Sequence, residues 1–176
     1  MPAARELPAL DIRLKRHTDG SASITLTRAD GTVTWQRQKG SLALVFPSHD
    51  LTHYAIEQTL GYRSGFYGLI ADGWEISDFA MPWPRGPIPA EAREVEMMVG
   101  LFDGMRRAVA QSSATVLNAE LRTLAAESRF GTSSVSRTLT DADVALLRAT
   151  RNELRTRWGA TAPGHALQLE FHRTRY

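Results

Sequence analysis

Residues 10–38 alternate between apolar and polar side chains, and this pattern constrains the fold more than any other feature of the chain. The period of two is typical of half-buried strands, and it recurs in segments 22–28 and 32–38. In the first segment, three apolar residues alternate with charged ones: Leu10, Ile12 and Leu14. Asp-Gly pairs separate the segments, and glycine readily takes the positive φ of tight hairpin turns: Asp19-Gly20 and Asp30-Gly31. The pattern predicts an antiparallel β-meander.

Two further segments extend the predicted sheet. Residues 42–46, Leu-Ala-Leu-Val-Phe, are apolar throughout, as in a strand that is buried on both faces, and we expect them to form the fourth meander strand. Near the C-terminus the apolar residues again alternate with polar ones: Leu167, Leu169 and Phe171. This pattern predicts a final strand within residues 166–173 that returns to the N-terminal sheet.

The segment after residue 46 changes to helical patterns. Ser48 is a good N-cap, so we expect a helix over residues 49–60 that ends at Gly61. A second helical stretch is expected over residues 65–79. Four prolines within residues 81–89 exclude a regular helix or strand there and predict a rigid, extended connector.

The second half of the chain is predicted to be helical. Apolar residues at helical spacing indicate helices over residues 91–111 and 116–127, and a Gly/Ser/Thr-rich loop follows at 131–138. Thr140 and Asp143 form a capping-box pattern that starts a last helix, which reaches Trp158 and ends at Gly159.

These patterns predict an α+β fold, in which a meander of four strands and a C-terminal strand pack against about four or five helices. A length of 176 residues suits a single domain. The domain is expected to run through five segments: mostly β at 1–46, a histidine-bearing helical segment at 47–80, the Pro-rich connector at 81–89, helices at 90–160 and the final strand at 166–173.

The amino-acid composition limits the possible binding partners and the possible metal ligands. The 21 Lys and Arg residues nearly balance the 19 Asp and Glu residues, so the net charge of +2 does not indicate a nucleic-acid partner. The chain has no cysteine, which excludes disulfides and thiolate ligands and leaves His, Asp and Glu to hold a metal. No segment has the roughly 20 apolar residues of a membrane span. We therefore expect a cytoplasmic, bacterial-type protein without membrane contact, and a homo-oligomer is compatible with the sequence.

Residues 49–53, His-Asp-Leu-Thr-His, carry the sharpest chemical signal. On a helix, His49 and His53 share one face about 6 Å apart, which is the spacing that two imidazoles need to bind one metal ion. A third ligand must come from elsewhere, because one straight row cannot fill a tetrahedral site. The nearby candidates are all acidic: Glu57, Asp72, Glu75 and Asp78.

A structural role is the alternative interpretation of these residues. Asp50 would then only complement the helix dipole, and His53 would be a hydrogen-bonded core residue. A helix that begins at Ser48 would also place His49 at the positive end of the dipole, which disfavours a bound cation but keeps the imidazole neutral.

The histidine segment, together with Glu75-Ile76-Ser77-Asp78, resembles the active site of the gluzincin metallopeptidases, the thermolysin-like group. That family carries His-Glu-x-x-His on one helix and its third zinc ligand on a second helix. The resemblance implies His49 and His53 as ligands, Glu75 as the third ligand with Glu57 as the alternative, Asp50 in place of the general base, and Asp78 as the acid that supports the first histidine.

This resemblance covers about 30 residues and departs from the family pattern at two positions. Asp50 is one methylene shorter than the glutamate of the family, and Asp78 comes one residue early. A ubiquinone-biosynthesis family also uses His-Asp-x-x-His with a downstream glutamate, but the position of that glutamate is Gly65 here.

Aromatic residues cluster just after the histidines and predict either an apolar pocket or core packing: Tyr54, Phe66, Tyr67 and Trp74. The leading hypothesis is a hydrolase-like enzyme that depends on a divalent metal, zinc above all, and acts on a small molecule or a peptide. The competing hypothesis is a non-catalytic module that binds a small ligand or a protein and has a structural histidine cluster.

Overall fold

The computed structural model describes residues 9–105, 111–127 and 135–173. It has an α+β fold, in which one four-stranded antiparallel sheet packs against helices. The strands are β1 (Leu10–Arg16), β2 (Ala22–Arg28), β3 (Val33–Gln38) and β4 (Ala166–Phe171), in the spatial order β3-β2-β1-β4. The three meander strands and the return of the C-terminal strand are thereby confirmed.

Five α-helices lie within the described residues: α1 (Leu42–Leu60), α2 (Phe66–Ala71), α3 (Ala90–Gly100), α4 (Ala114–Glu127) and α5 (Asp141–Ala160). A 3-10 turn occupies Ile76–Phe79, and a π-helical turn, Leu101–Met105, continues α3. No helix in the described parts of the chain is long and apolar enough to cross a membrane.

The predicted fourth meander strand is wrong, because residues 42–46 form the start of α1. Leu and Ala are strong helix formers, and the helix continues through Pro47, so Ser48 lies inside α1 and does not cap it. The neighbour of β1 that completes the sheet is β4 instead. The predicted end of this helix is confirmed, since Gly61 adopts φ 69° in the left-handed region.

Other boundaries differ from the predicted ones. The helix expected at 65–79 is reduced to α2 and the 3-10 turn, and the helix expected at 91–111 ends as α3 at Gly100. Residues 106–110 and 131–134, which fall in that helix and in the predicted loop, lie outside the described residues. The connector at 81–89 has no helix or strand, as predicted, but it is not extended, because the Trp83 N–H donates to the Ala80 carbonyl and the Gly86 N–H donates to the Trp83 carbonyl in successive turns. The capping box of Thr140 and Asp143 is confirmed, but α5 runs past Gly159 to Ala160.

Helix α1 is the centre of the packing. Leu51 and Ala55 join the cluster on the inner face of the sheet, which also contains the apolar side chains of β1, β2 and β4. Ile56 and Leu60 join a second cluster with α3, α4 and α5. His49 and His53 lie on α1 beside Glu96 of α3, so the polar site is at the contact of these two helices.

Candidate metal centre

His49 and His53 lie one turn apart on α1, with ring centroids separated by 4.8 Å. His49 is half-buried, whereas only 3% of His53 is exposed. Since α1 begins at Leu42, His49 lies about two turns inside the helix. It is therefore beyond the first turn, where the positive field of the dipole acts, and the expected objection to a cation at His49 does not apply.

Helix α3 brings Glu96 to the two histidines. The Oε1 atom of Glu96 lies 3.2 Å from His53 Nε2. One ligand atom from each of His49, His53 and Glu96 lies within 4.8 Å of the others, so these three residues could hold a metal ion. In a tetrahedral zinc site such atoms are about 3.3 Å apart. The Glu96 side chain is 53% exposed and therefore has room to close the remaining gap.

Asp103, in the π-helical turn, orients His49. Its Oδ2 atom lies 3.0 Å from His49 Nδ1, which leaves Nε2 of this ring available to a metal. The other oxygen, Oδ1, accepts hydrogen bonds from the Thr52 hydroxyl at 2.7 Å and from Arg151 Nη2 at 3.2 Å. Arg151 Nε also donates to the Thr52 hydroxyl at 3.0 Å, so α5 fixes the carboxylate in place. Burial raises the pKa of Asp103, but the hydrogen bonds from His49, Thr52 and Arg151 outweigh it and lower the pKa.

Glu57 faces the other nitrogen of His53, at 3.5 Å from Nδ1, and both side chains are buried. This separation is long for a hydrogen bond, and neither Glu57 Oε1 nor His53 Nδ1 has another partner among the described residues. Glu57 Oε2 accepts hydrogen bonds from the backbone N–H groups of Tyr67 at 3.0 Å and Gly68 at 3.3 Å. Glu57 therefore supports His53 from the side opposite Glu96, and it does not join the group of three ligands.

Carboxylates outnumber imidazoles at this site, so they stabilise a positive charge there, which is either a proton on His53 or a metal ion that displaces it. Burial lowers the pKa of His53, but contact with Glu57 and Glu96 outweighs burial and raises the pKa to about 10. Asp50 is half-buried in the same turn of α1. Its burial raises the pKa of its carboxyl to about 6 against the opposing charges of His53 and His49.

Glu75 and Asp78 contact other residues and are not in the group of possible ligands with the histidines. Glu75 pairs with Arg28 at 3.0 Å. Asp78 accepts hydrogen bonds from the backbone N–H of Glu75 at 2.8 Å and from Arg85 Nε at 2.6 Å. These contacts fix the 3-10 turn, so this placement does not support Glu75 as the third ligand or Asp78 as the acid that supports His49.

The aromatic residues are divided between the core and the site. Phe66 lies 5.5 Å from the ring of His53, and the Tyr67 hydroxyl donates to the carbonyl of Asp50 at 2.9 Å. Tyr54 instead donates to the carbonyl of Glu170 in β4, and Trp74 packs on Phe79. Phe66 alone of these four aromatics has a ring contact with either histidine. The four residues therefore do not line one common pocket at the histidines.

Sequence reasoning missed four residues that build the site: Glu96, Asp103, Thr52 and Arg151. Glu96 and Asp103 come from the helix after the connector, where a polar residue between apolar ones looks like part of a solvated face. The local signal for Asp103 is the Gly104 that follows it, which adopts φ 114° where the helix changes geometry. Such π-helical turns are frequent at functional sites.

Searches with family models, against curated proteins and against solved structures found no match for this chain. The geometry of the site is therefore the basis for assigning a function.

Proposed function

We propose that this protein is a hydrolase-like enzyme that depends on a divalent metal held by His49, His53 and Glu96. One observation carries the proposal: each histidine has a carboxylate at Nδ1, Asp103 at 3.0 Å and Glu57 at 3.5 Å. In metalloproteins, a carboxylate on the second ring nitrogen orients a histidine ligand and raises its basicity. The arrangement occurs on both rings, as expected if both histidines are ligands of one metal ion.

The donor set supports zinc as the metal. Two imidazoles and one carboxylate are a common ligand set of catalytic zinc sites, which keep a fourth position open for water or substrate. The exposed carboxylate of Glu96 and the half-buried ring of His49 form the open side of the cluster. A bound zinc ion would lower the pKa of a water molecule and polarise a carbonyl or phosphoryl group.

Asp50 is the proposed proton acceptor. It lies about 60° around α1 from His53, on the same part of the helix surface. In the proposed reaction, Asp50 takes a proton from the attacking water, whose oxygen forms a bond to the carbonyl carbon. The bond to the leaving group then breaks, and the proton passes from Asp50 to that group. A carboxyl pKa of about 6 suits this exchange near neutral pH.

The test combines metal content with hydrolysis. We expect the purified full chain to bind about one zinc ion and to cleave members of a panel of esters, amides and phosphate esters. The double variant His49→Ala/His53→Ala should lose both properties. Asp50→Asn should keep the zinc and lose kcat by about 10²–10⁴-fold, as expected for removal of a general base.

Two outcomes would contradict the proposal. Wild-type protein that is metal-free and does not bind added zinc would exclude the metal site and favour the non-catalytic binding module. Zinc-loaded protein whose hydrolysis is the same in Asp50→Asn as in wild type would exclude the proposed role of Asp50.

Asp103→Ala is expected to weaken zinc binding by about 10–100-fold, because His49 loses the carboxylate that orients it. The zinc dissociation constant can be measured by competition with a chromogenic chelator. Asp72→Ala is the matched control, because Asp72 also pairs with an arginine, Arg173, at 2.8 Å but lies outside the cluster. Equal affinities of the two variants would show that Asp103 does not orient a ligand.

A further inference from the structure

The start of α1 exposes an apolar surface that the described residues leave open. Leu42 is 49% exposed, Leu44 is 79% exposed and Val45 is 59% exposed, and Phe46 is half-buried. These side chains belong to the apolar run that opens α1, and no charged residue occurs from position 40 to 48. An exposed apolar surface of this kind is typical of a place where a ligand or another molecule binds.

This surface is continuous with the candidate metal centre. At about 100° per residue, Leu42, Val45 and Phe46 lie within roughly 80° of His53 around the axis of α1. The ring of Phe46 lies 6.0 Å from the ring of His49, edge to face, so the apolar surface begins at the first ligand. Leu44 points to the opposite side of the helix, about 180° from His53.

Two glycines follow Glu96 along the chain, in α3 and in the π-helical turn. Gly100 follows Glu96 by one turn on α3, and a Cβ atom built on Gly100 would meet no atom of the described residues within 4 Å. Gly104, in the π-helical turn, has the same free space. Neither glycine has a side chain that could block a molecule extending from the metal along α1 toward Leu42.

We propose that the substrate is an ester or amide of an apolar acid, whose acyl chain lies on Leu42, Val45 and Phe46 while its carbonyl reaches the metal. This inference rests on the proposed metal-dependent hydrolysis. Leu42 and His49 are seven positions apart, which is about 10 Å along the helix axis and within the reach of a medium-length acyl chain. Residues 40–48 include no charged side chain, so this part of α1 offers a charged chain no partner.

The experiment compares two hydroxamic acids on the zinc-loaded full chain, since a hydroxamate binds zinc and can carry an apolar chain. Octanohydroxamic acid, used below its aggregation concentration, is expected to bind at least about tenfold tighter than acetohydroxamic acid, because its methylenes are removed from water. Val45→Asp should reduce this ratio to near one. Leu44→Asp, the control on the opposite side of α1, should leave the ratio unchanged.

The outcomes separate this inference from the proposed function. Acetohydroxamic acid that binds, with no tighter binding of the octanoyl compound, overturns the substrate class and leaves the metal site intact. Protein that binds no zinc overturns both proposals. Sedimentation supplies a further test: a wild-type dimer that Val45→Asp converts to a monomer would assign this surface to a subunit contact and overturn the proposed acyl site.

Discussion

Glu57→Ala is expected to destabilise the fold by about 3–5 kcal/mol, because it removes one partner of a buried, charged pair. Only 1% of Glu57 and 3% of His53 is exposed, so water cannot replace the carboxylate that the His53 imidazole loses. The backbone N–H groups of Tyr67 and Gly68, which donate hydrogen bonds to Glu57 Oε2, would also lose their acceptor.

Urea unfolding, followed by circular dichroism, would measure this loss in the metal-free protein. Glu57→Gln is the control, because its amide oxygen still accepts from the two N–H groups while the charge is removed, and it should lose less stability than Glu57→Ala. Gly65 allows close packing here, since a Cβ atom at that position would lie 2.5 Å from Glu57 Cδ. A loss below about 1 kcal/mol in Glu57→Ala would mean that His53 is not held by a charged pair.

Glu96→Gln is expected to weaken zinc binding by at least about 100-fold, since an amide is a poor substitute for a carboxylate ligand and direct ligands matter more than the groups that support them. Glu75→Gln is the matched control. Both residues are glutamates at the surface, with side chains 53% and 47% exposed, but Glu96 contacts His53 and Glu75 contacts Arg28.

Chelator competition on both variants would decide between the two candidate third ligands. Zinc affinity that falls in Glu75→Gln and not in Glu96→Gln would support the ligand set implied by the gluzincin resemblance, and it would require the 3-10 turn to move toward α1. The geometry favours the opposite result, because the carboxylate of Glu75 is already held by Arg28 at 3.0 Å.

The alternation of residues 10–38 and the two Asp-Gly turns were sufficient to predict β1, β2 and β3, because a period of two is incompatible with a helix. The capping box at Thr140 was also predictable, because it depends only on residues three positions apart. Residues 42–46 were predicted wrongly, because a short continuous apolar run has no period that separates a buried strand from a helix. The sheet is completed beside β1 by β4, which comes from the other end of the chain, so residues 42–46 are not needed as a strand.

The candidate site also has a part that the sequence determines and a part that depends on the tertiary structure. The sequence by itself determined that His49 and His53 share a helical face, since a spacing of four residues places side chains together on any α-helix. Only the tertiary structure decided that Glu96, and not Glu75, joins them, and that Asp103 and Glu57 lie at their other nitrogens. The physical reason is that helical periodicity acts within one segment, whereas the contact of α1 with α3 and α5 depends on packing of the whole core.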